Sequence, residues 1–206
     1  MALLYIIFKR FFSSSFWRID NKYFQDAFNY DLRFNACFRG VEQLSKNVRN
    51  SREIKYIKYY RKVQASRGTV WYKLFYYPRL VRYSLKTGII LYDNLSIPEG
   101  LIIGHAGSII ISPGVVFGGN LMLSHGVTIG RENTGSKAGV PTLGKNVCIK
   151  CNVTIIGKIT IGDDVLIYPN VFVNYDVPSH SVVINNSSIL YPKENATEKY
   201  LDRVDK

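Results

Sequence analysis

The sequence predicts a mainly β protein, a parallel β-helix preceded by an α-helical region. Three observations predict it. Apolar residues recur every six positions from Leu91 to Val173. Glycines become frequent and charges thin out at Gly88. Before that point glycine and proline are sparse, and aromatic and aliphatic residues stand at helical spacing.

The first region, residues 1–87, is basic and aromatic. Residues 1–90 carry a net charge of +13 and residues 91–206 one of −1, so the basic character belongs to one segment. Such a segment suits an anionic partner. From Ile19 to Leu85 only Gly40, Gly68 and Pro78 punctuate the chain. Phe24, Phe28, Leu32 and Leu44 fall at loosely helical spacing, and Val70 to Tyr83 is strongly aromatic. Residues 1–85 are therefore expected to be helical, with Gly68 and Pro78 near helix ends. A basic aromatic stretch can also bind nucleic acid, but no recognised motif accompanies it, and no nucleic-acid partner is expected.

Met1 to Phe12 reads MALLYIIFKRFF. The apolar run is too short to span a bilayer, and its charges follow it, which is wrong for a signal peptide. The expectation is an apolar helix face packed on the protein. Its alternative is a peripheral contact at the inner face of the membrane, aided by the basic residues downstream. Three cysteines are too few, and odd in number, for a secreted disulfide framework. A cytoplasmic location is expected.

Residues 88–184 carry the repeat. The thirteen positions Leu91, Ile97, Ile103, Ile111, Phe117, Leu123, Ile129, Leu143, Ile149, Ile155, Ile161, Ile167 and Val173 are all apolar, and ten of the twelve intervals between them are six residues. A second apolar residue often stands two before the anchor, as at Leu121, Val127, Val147 and Val153. A period of six fits neither an amphipathic helix nor a long alternating strand. It fits a coil in which each hexad makes one short flat side and a corner, with the anchor pointing into the shaft. Residues 185–206 form a C-terminal tail, charged from Lys193 onward.

Two intervals break the period. Ile103 to Ile111 is eight residues and Ile129 to Leu143 is fourteen. The repeat does not explain His105-Ala106-Gly107-Ser108 or the loop from Arg131 to Pro141. Insertions in a solenoid are loops on one face, often the binding face. The long loop, with two glycines and polar side chains, is expected to fold over a cleft.

The stretches LIIGHAGSIIISPGV (101–115), LSHGVTIG (123–130), PTLGKNVCIKCNVTIIGKITIGDDV (141–165) and DVPSHSVV (176–183) resemble the hexapeptide-repeat acyltransferases. Within them the chain looks most like the serine acetyltransferases and their relatives from polysaccharide biosynthesis gene clusters. The resemblance covers roughly the last 120 residues. It implies a left-handed parallel β-helix, a homotrimer or a multiple of it, and acetyl-CoA lying in the groove between adjacent subunits. It also implies a catalytic histidine at His105. Cofactor-binding residues are expected at Gly130, Thr142, Lys150, Cys151 and Pro169, of which Cys151 and Pro169 match by coil register. A G-x-P-A-K-like segment that many relatives carry near the adenine is missing here.

An imidazole titrates near neutrality, so His105 can accept a hydroxyl proton as the oxygen attacks a thioester, then return it to the leaving thiolate. Direct transfer needs no acyl-enzyme when both substrates are bound. His125, two residues after anchor Leu123, is the secondary catalytic candidate, with a structural corner residue as the alternative. His180 reads as a turn residue. The resemblance breaks at two points. Serine acetyltransferases resemble DHxxG where this chain has Gly104-His105, and a histidine of their long loop is Val140 here. A cationic amino group needs a carboxylate nearby. The expected acceptor is therefore a sugar hydroxyl of a surface polysaccharide or its precursor, with serine O-acetylation as the alternative. A zinc enzyme would need three convergent histidines, and Cys148-x-x-Cys151 lacks a second pair, so no metal is expected. A non-catalytic β-helix scaffold remains as a reading from a different class.

Overall fold

A computed structural model describes residues 20–184 and 189–197. The Met1–Phe12 segment lies outside these residues. The helical region opens with α1 (Asn21–Phe38), capped by Asp20, whose carboxylate accepts the Tyr23 N–H at 2.9 Å. A short α2 (Lys46–Arg49) leads to α3 (Arg52–Ser66), where Ser51 caps the Ile54 N–H at 3.3 Å. A π-helical stretch (Tyr72–Tyr76) runs directly into α4 (Tyr77–Thr87). Pro78 stands where they join. It has no N–H to donate and its ring crowds the preceding turn, so a widened turn before it is the local solution. Gly88, at φ 68°, ends α4 in the left-handed conformation and starts the β region. Among the described residues no helix is long and apolar enough to cross a membrane.

The rest is a left-handed parallel β-helix with three sides. One side stacks β1 (Ile89–Leu91), β3 (Ile109–Ile111), β5 (Thr128–Gly130), β7 (Thr154–Ile156) and β10 (Phe172–Val173). The second stacks β2 (Leu101–Ile103), β4 (Val116–Leu123), β6 (Thr142–Ile149), β9 (Val165–Ile167) and β11 (Ser181–Ile184). The third is made by the first residues of β4 and β6 with β8 (Thr160–Ile161) and a bridge from Ile161 to Val177. An antiparallel β12 (Ile189–Pro192) closes the sheet against β11.

The register explains the sequence period. Ile111 pairs with Ile129 and Val147 with Val165, so one turn is three hexads. Leu101 pairs with Leu121, two residues more, because the turn contains the His105 insertion. Leu123 pairs with Ile149, eight residues more, because that turn contains the long loop. All thirteen anchors named above are buried, and they form one core along the shaft. Corners are turned by asparagines at positive φ, and two of these pairs bond across coils, Asn120 to Asn146 at 2.9 Å and Asn152 to Asn170 at 3.1 Å.

The helices cover two surfaces of the shaft. Phe34 of α1 packs on Ile102, Met122, Cys148 and Leu166, the outward residues of the second side. Tyr56, Ile57 and Tyr60 of α3 join the core beside Ile89, Leu95 and Ile97 at its first coil. Arg61 and Asp31, both almost fully buried, pair at 2.7 Å beneath this contact.

Candidate active site

The short insertion is pinned on either side and raised in the middle. Gly104 N–H donates to Leu123 O at 2.8 Å, Gly126 N–H to Gly107 O at 2.9 Å, and Ile109 N–H to Gly88 O at 3.0 Å. Gly107, at φ 132°, makes the reversal that only glycine takes without strain. Between these points His105 is exposed, and its ring stands edge-on to that of His125, with centroids 6.1 Å apart. The two histidines thus share one corner edge of the shaft.

A residue far away in sequence completes this corner. Glu53, in the first turn of α3, accepts the Ala106 N–H on Oε1 at 3.0 Å. Its charge is felt by Arg39. Burial draws the Arg39 guanidinium below its usual pKa, and the Glu53 charge opposes that shift. Arg39 Nη1 donates to the Asn35 carbonyl at 3.0 Å and to its Oδ1 at 3.1 Å, and Asn35 Nδ2 donates to Leu101 O at 3.0 Å. The helices therefore grip both β2 and the loop that follows it. Sequence reasoning missed Glu53. The available signal was that it is the only acidic residue between Glu42 and Asp93.

The same edge continues down the coils. Asn152 N–H donates to His125 O and Asn170 N–H to Cys151 O, both at 3.0 Å. Cys151 and Pro169 therefore occupy successive coils beneath His125, and Lys150 begins the same corner, its N–H bonded to Ile167 O at 3.0 Å. Cys151 is half-buried, whereas Cys148 points into the layer under α1 and is fully buried. Burial pushes the Cys148 thiol up to about 12, with Lys150 opposing. The two cysteines do not act as a pair.

Gly130 and Thr142 stand on a different edge. They flank the long loop, which folds on itself through mutual Glu132–Gly139 backbone bonds of 2.9 Å. It then lies against the next coil, where Lys158 N–H donates to Lys137 O at 2.8 Å and Lys137 Nζ reaches the Asn174 carbonyl. Within one chain the loop lies on a different edge from His105. His180 is also elsewhere. At φ 56° it pairs through Nδ1 with Asp164 Oδ2 at 3.0 Å, and Asp164 also accepts the N–H groups of Ala196 and Thr197. Among the described residues no group of three or more His, Cys, Asp or Glu is placed to hold a metal.

No protein-family model matches the sequence. Serine acetyltransferase 2 of Arabidopsis thaliana is 35% identical over 105 residues, covering 50% of this chain and 32% of that protein. The serine acetyltransferase of Helicobacter pylori (strain ATCC 700392 / 26695) is 33% identical over 108 residues, covering 52% of this chain and 63% of that one. The chain thus spans between a third and two thirds of the length of these relatives. Among solved structures, the serine acetyltransferase of Brucella abortus strain S19 in complex with coenzyme A superposes with a TM-score of 0.68 at 20% identity, over 84% of this chain and 70% of that one.

The two relatives matched in sequence overturn the expected sugar acceptor, since each is named for serine. Gly104 itself carries no carboxylate, and the one nearby, Glu53, is bonded to the Ala106 N–H. The chain is similar to the serine acetyltransferases over about half its length, and its fold is the left-handed β-helix of their structures.

Proposed function

We propose that this chain is an acetyl-CoA-dependent O-acetyltransferase whose acceptor is serine, with residues 88–184 as its catalytic domain. The observation that carries the reading is His105, exposed on the two-residue insertion of the coil and facing His125 across one edge. The likeness to proteins named serine acetyltransferases supplies the acceptor.

His105 takes the proton of the serine hydroxyl as that oxygen attacks the thioester carbonyl. The carbon–sulfur bond breaks, and the imidazolium returns the proton to the departing thiolate. The products are O-acetylserine and free CoA, and no acyl-enzyme forms. A backbone N–H of the neighbouring coil serves the tetrahedral oxyanion. His125 lines the acceptor side. The His125–Cys151–Pro169 edge is an uninterrupted strip of corner backbone, and with Lys150 it suits an extended pantetheine chain ending in phosphates. Gly130 and Thr142, on another edge, contribute from a neighbouring protomer in a homotrimer or a multiple of it. A cytoplasmic location goes with this reading.

The test is thiol release from acetyl-CoA with L-serine, L-threonine and L-homoserine as acceptors. Release with L-serine is expected, with kcat in His105→Ala about 10²–10⁴-fold lower and its thermal midpoint unchanged, because the side chain is exposed. No release with L-serine, or a His105→Ala variant within tenfold of the parent, would overturn the reading.

A further inference from the structure

We propose that Glu53 is a positioning residue of the active site, holding the His105 loop through the Ala106 N–H. The inference rests on the acetyltransferase reading for its effect on turnover, though the contact itself does not.

Three features carry it. First, the coil fastens the insertion at Gly104, Gly107 and Ile109, and all three bonds lie outside the raised pair His105-Ala106. The Glu53 carboxylate fastens that pair, at the residue next to the proposed base. Hydrogen bonds to an ionised acceptor are shorter and stronger than neutral ones, so one such bond can define the loop.

Second, the carboxylate lies in a favourable field on an anchored helix. It sits in the first turn of a fifteen-residue helix, where the aligned peptide dipoles favour negative charge. The Arg39 charge acts on it without a direct ion pair, and Arg39 is fixed by Asn35, which bonds the strand leading into the same loop. The Asp31–Arg61 pair then locks α1 to α3 against the first coil. The loop is thus referenced to β2 by two routes, through its own backbone and through the helices.

Third, Glu53 is isolated in a strongly basic stretch, with no other acid between Glu42 and Asp93. The helix N-terminus favours an acid in this turn but does not aim it at the loop. Its carboxylate is nevertheless spent on the Ala106 N–H.

The experiment compares Glu53→Ala with Glu53→Gln in the full chain. Glutamine keeps an oxygen for the Ala106 N–H and loses the charge. Two readouts are taken, amide hydrogen exchange of the segment 104–110 and steady-state kinetics with L-serine. Exchange in that segment should rise at least about fivefold in Glu53→Ala and about twofold or less in Glu53→Gln, with the rest of the β-helix unchanged. Turnover should follow, with kcat at least about tenfold lower in Glu53→Ala, largely restored in Glu53→Gln, and KM for acetyl-CoA little altered. Unchanged exchange in Glu53→Ala would overturn the proposal, as would equal loss in both variants. If the parent chain ignored serine while the exchange pattern held, the acceptor would be wrong and the tether would stand.

Discussion

Removing the Asp31 carboxylate should cost more stability than any other single truncation between the helices and the first coil. Asp31 Oδ1 accepts the N–H groups of Gly100 and Leu101, both at 2.9 Å, and Arg61 Nη2 at 3.0 Å, while Oδ2 accepts Arg61 Nε at 2.7 Å. Arg61 spends its remaining donors on the carbonyls of Ile97 and Pro98 and on Gln64. Asp31→Ala strands a guanidinium that is fully buried and two strand amides beside it. Breaking a buried pair from one side costs about 3–5 kcal/mol. Each unpartnered amide adds about 1–3 kcal/mol, less where it relaxes toward water. The three losses share one carboxylate and are not additive, so a cost of at least about 4 kcal/mol is expected. Total stability is about 5–15 kcal/mol for a domain, so the helices of Asp31→Ala should melt early. Urea unfolding followed by helical circular dichroism, at fixed protein concentration, measures it. The double variant Asp31→Leu with Arg61→Met strands no charge and should recover much of the loss. A cost below about 1 kcal/mol, or a double variant no better than the single one, would refute the reasoning.

Two further perturbations probe the shaft and the tail. Burial alone would push the Asp164 carboxyl up, but bonds from the Thr197 hydroxyl, from His180 and from the Thr197 and Ala196 amides outweigh it and hold the pKa below the usual range. A depressed carboxyl stabilises the fold fully above its unfolded value of about 4 and loses that contribution as pH falls through the folded value. Asp164→Asn should therefore lower the melting midpoint at pH 7 and flatten its fall between about pH 5 and pH 3, and an unaltered acid slope would count against the account. Ile129 is fully buried between Ile111 and Ile155, so Ile129→Ala should cost about 2–5 kcal/mol, whereas Thr128→Ala on the same strand should stay within about 0.5 kcal/mol; similar costs in denaturant titrations would mean that Ile129 does not point into the shaft.

The coils were legible because each hexad carries its own signal. An anchor such as Ile149 needs only its neighbours six residues away to be recognised, and the coil forces it inward. The register breaks were equally local, and Ile103 to Ile111 disclosed the His105 insertion by length alone. What the helices do was not legible in the same way. Their contacts join residues 35 with 101, 53 with 106, and 31 with 100, distances along the chain at which no period operates. One clue was present. The second side reads Leu101-Ile102-Ile103, Leu121-Met122-Leu123, Val147-Cys148-Ile149 and Val165-Leu166-Ile167, apolar on both faces. A strand apolar on both faces is covered on both faces, and Phe34 of α1 provides that cover. The absence of an acid at Gly104 was read as a property of the site. It is a property of one strand end, and a folded site draws on whatever elements converge there.

The two insertions sit at different corners of a three-sided shaft, and this constrains how the proposed site can be built. His105, His125, Cys151 and Pro169 follow one edge. Gly130, Thr142 and the loop between them follow another, held to their own coil by Lys137 and by the Gly157 N–H to Gly130 O bond at 3.4 Å. A close-packed shaft filled by Leu143, Ile155 and Ile161 separates them. Parallel shafts arranged about a threefold axis put one edge of each chain against a different edge of the next. An assembly of that symmetry would seat the loop of one protomer beside the histidine edge of its neighbour without moving either. Under the proposed reading, cofactor residues expected on separate edges would meet only in an assembly of this kind.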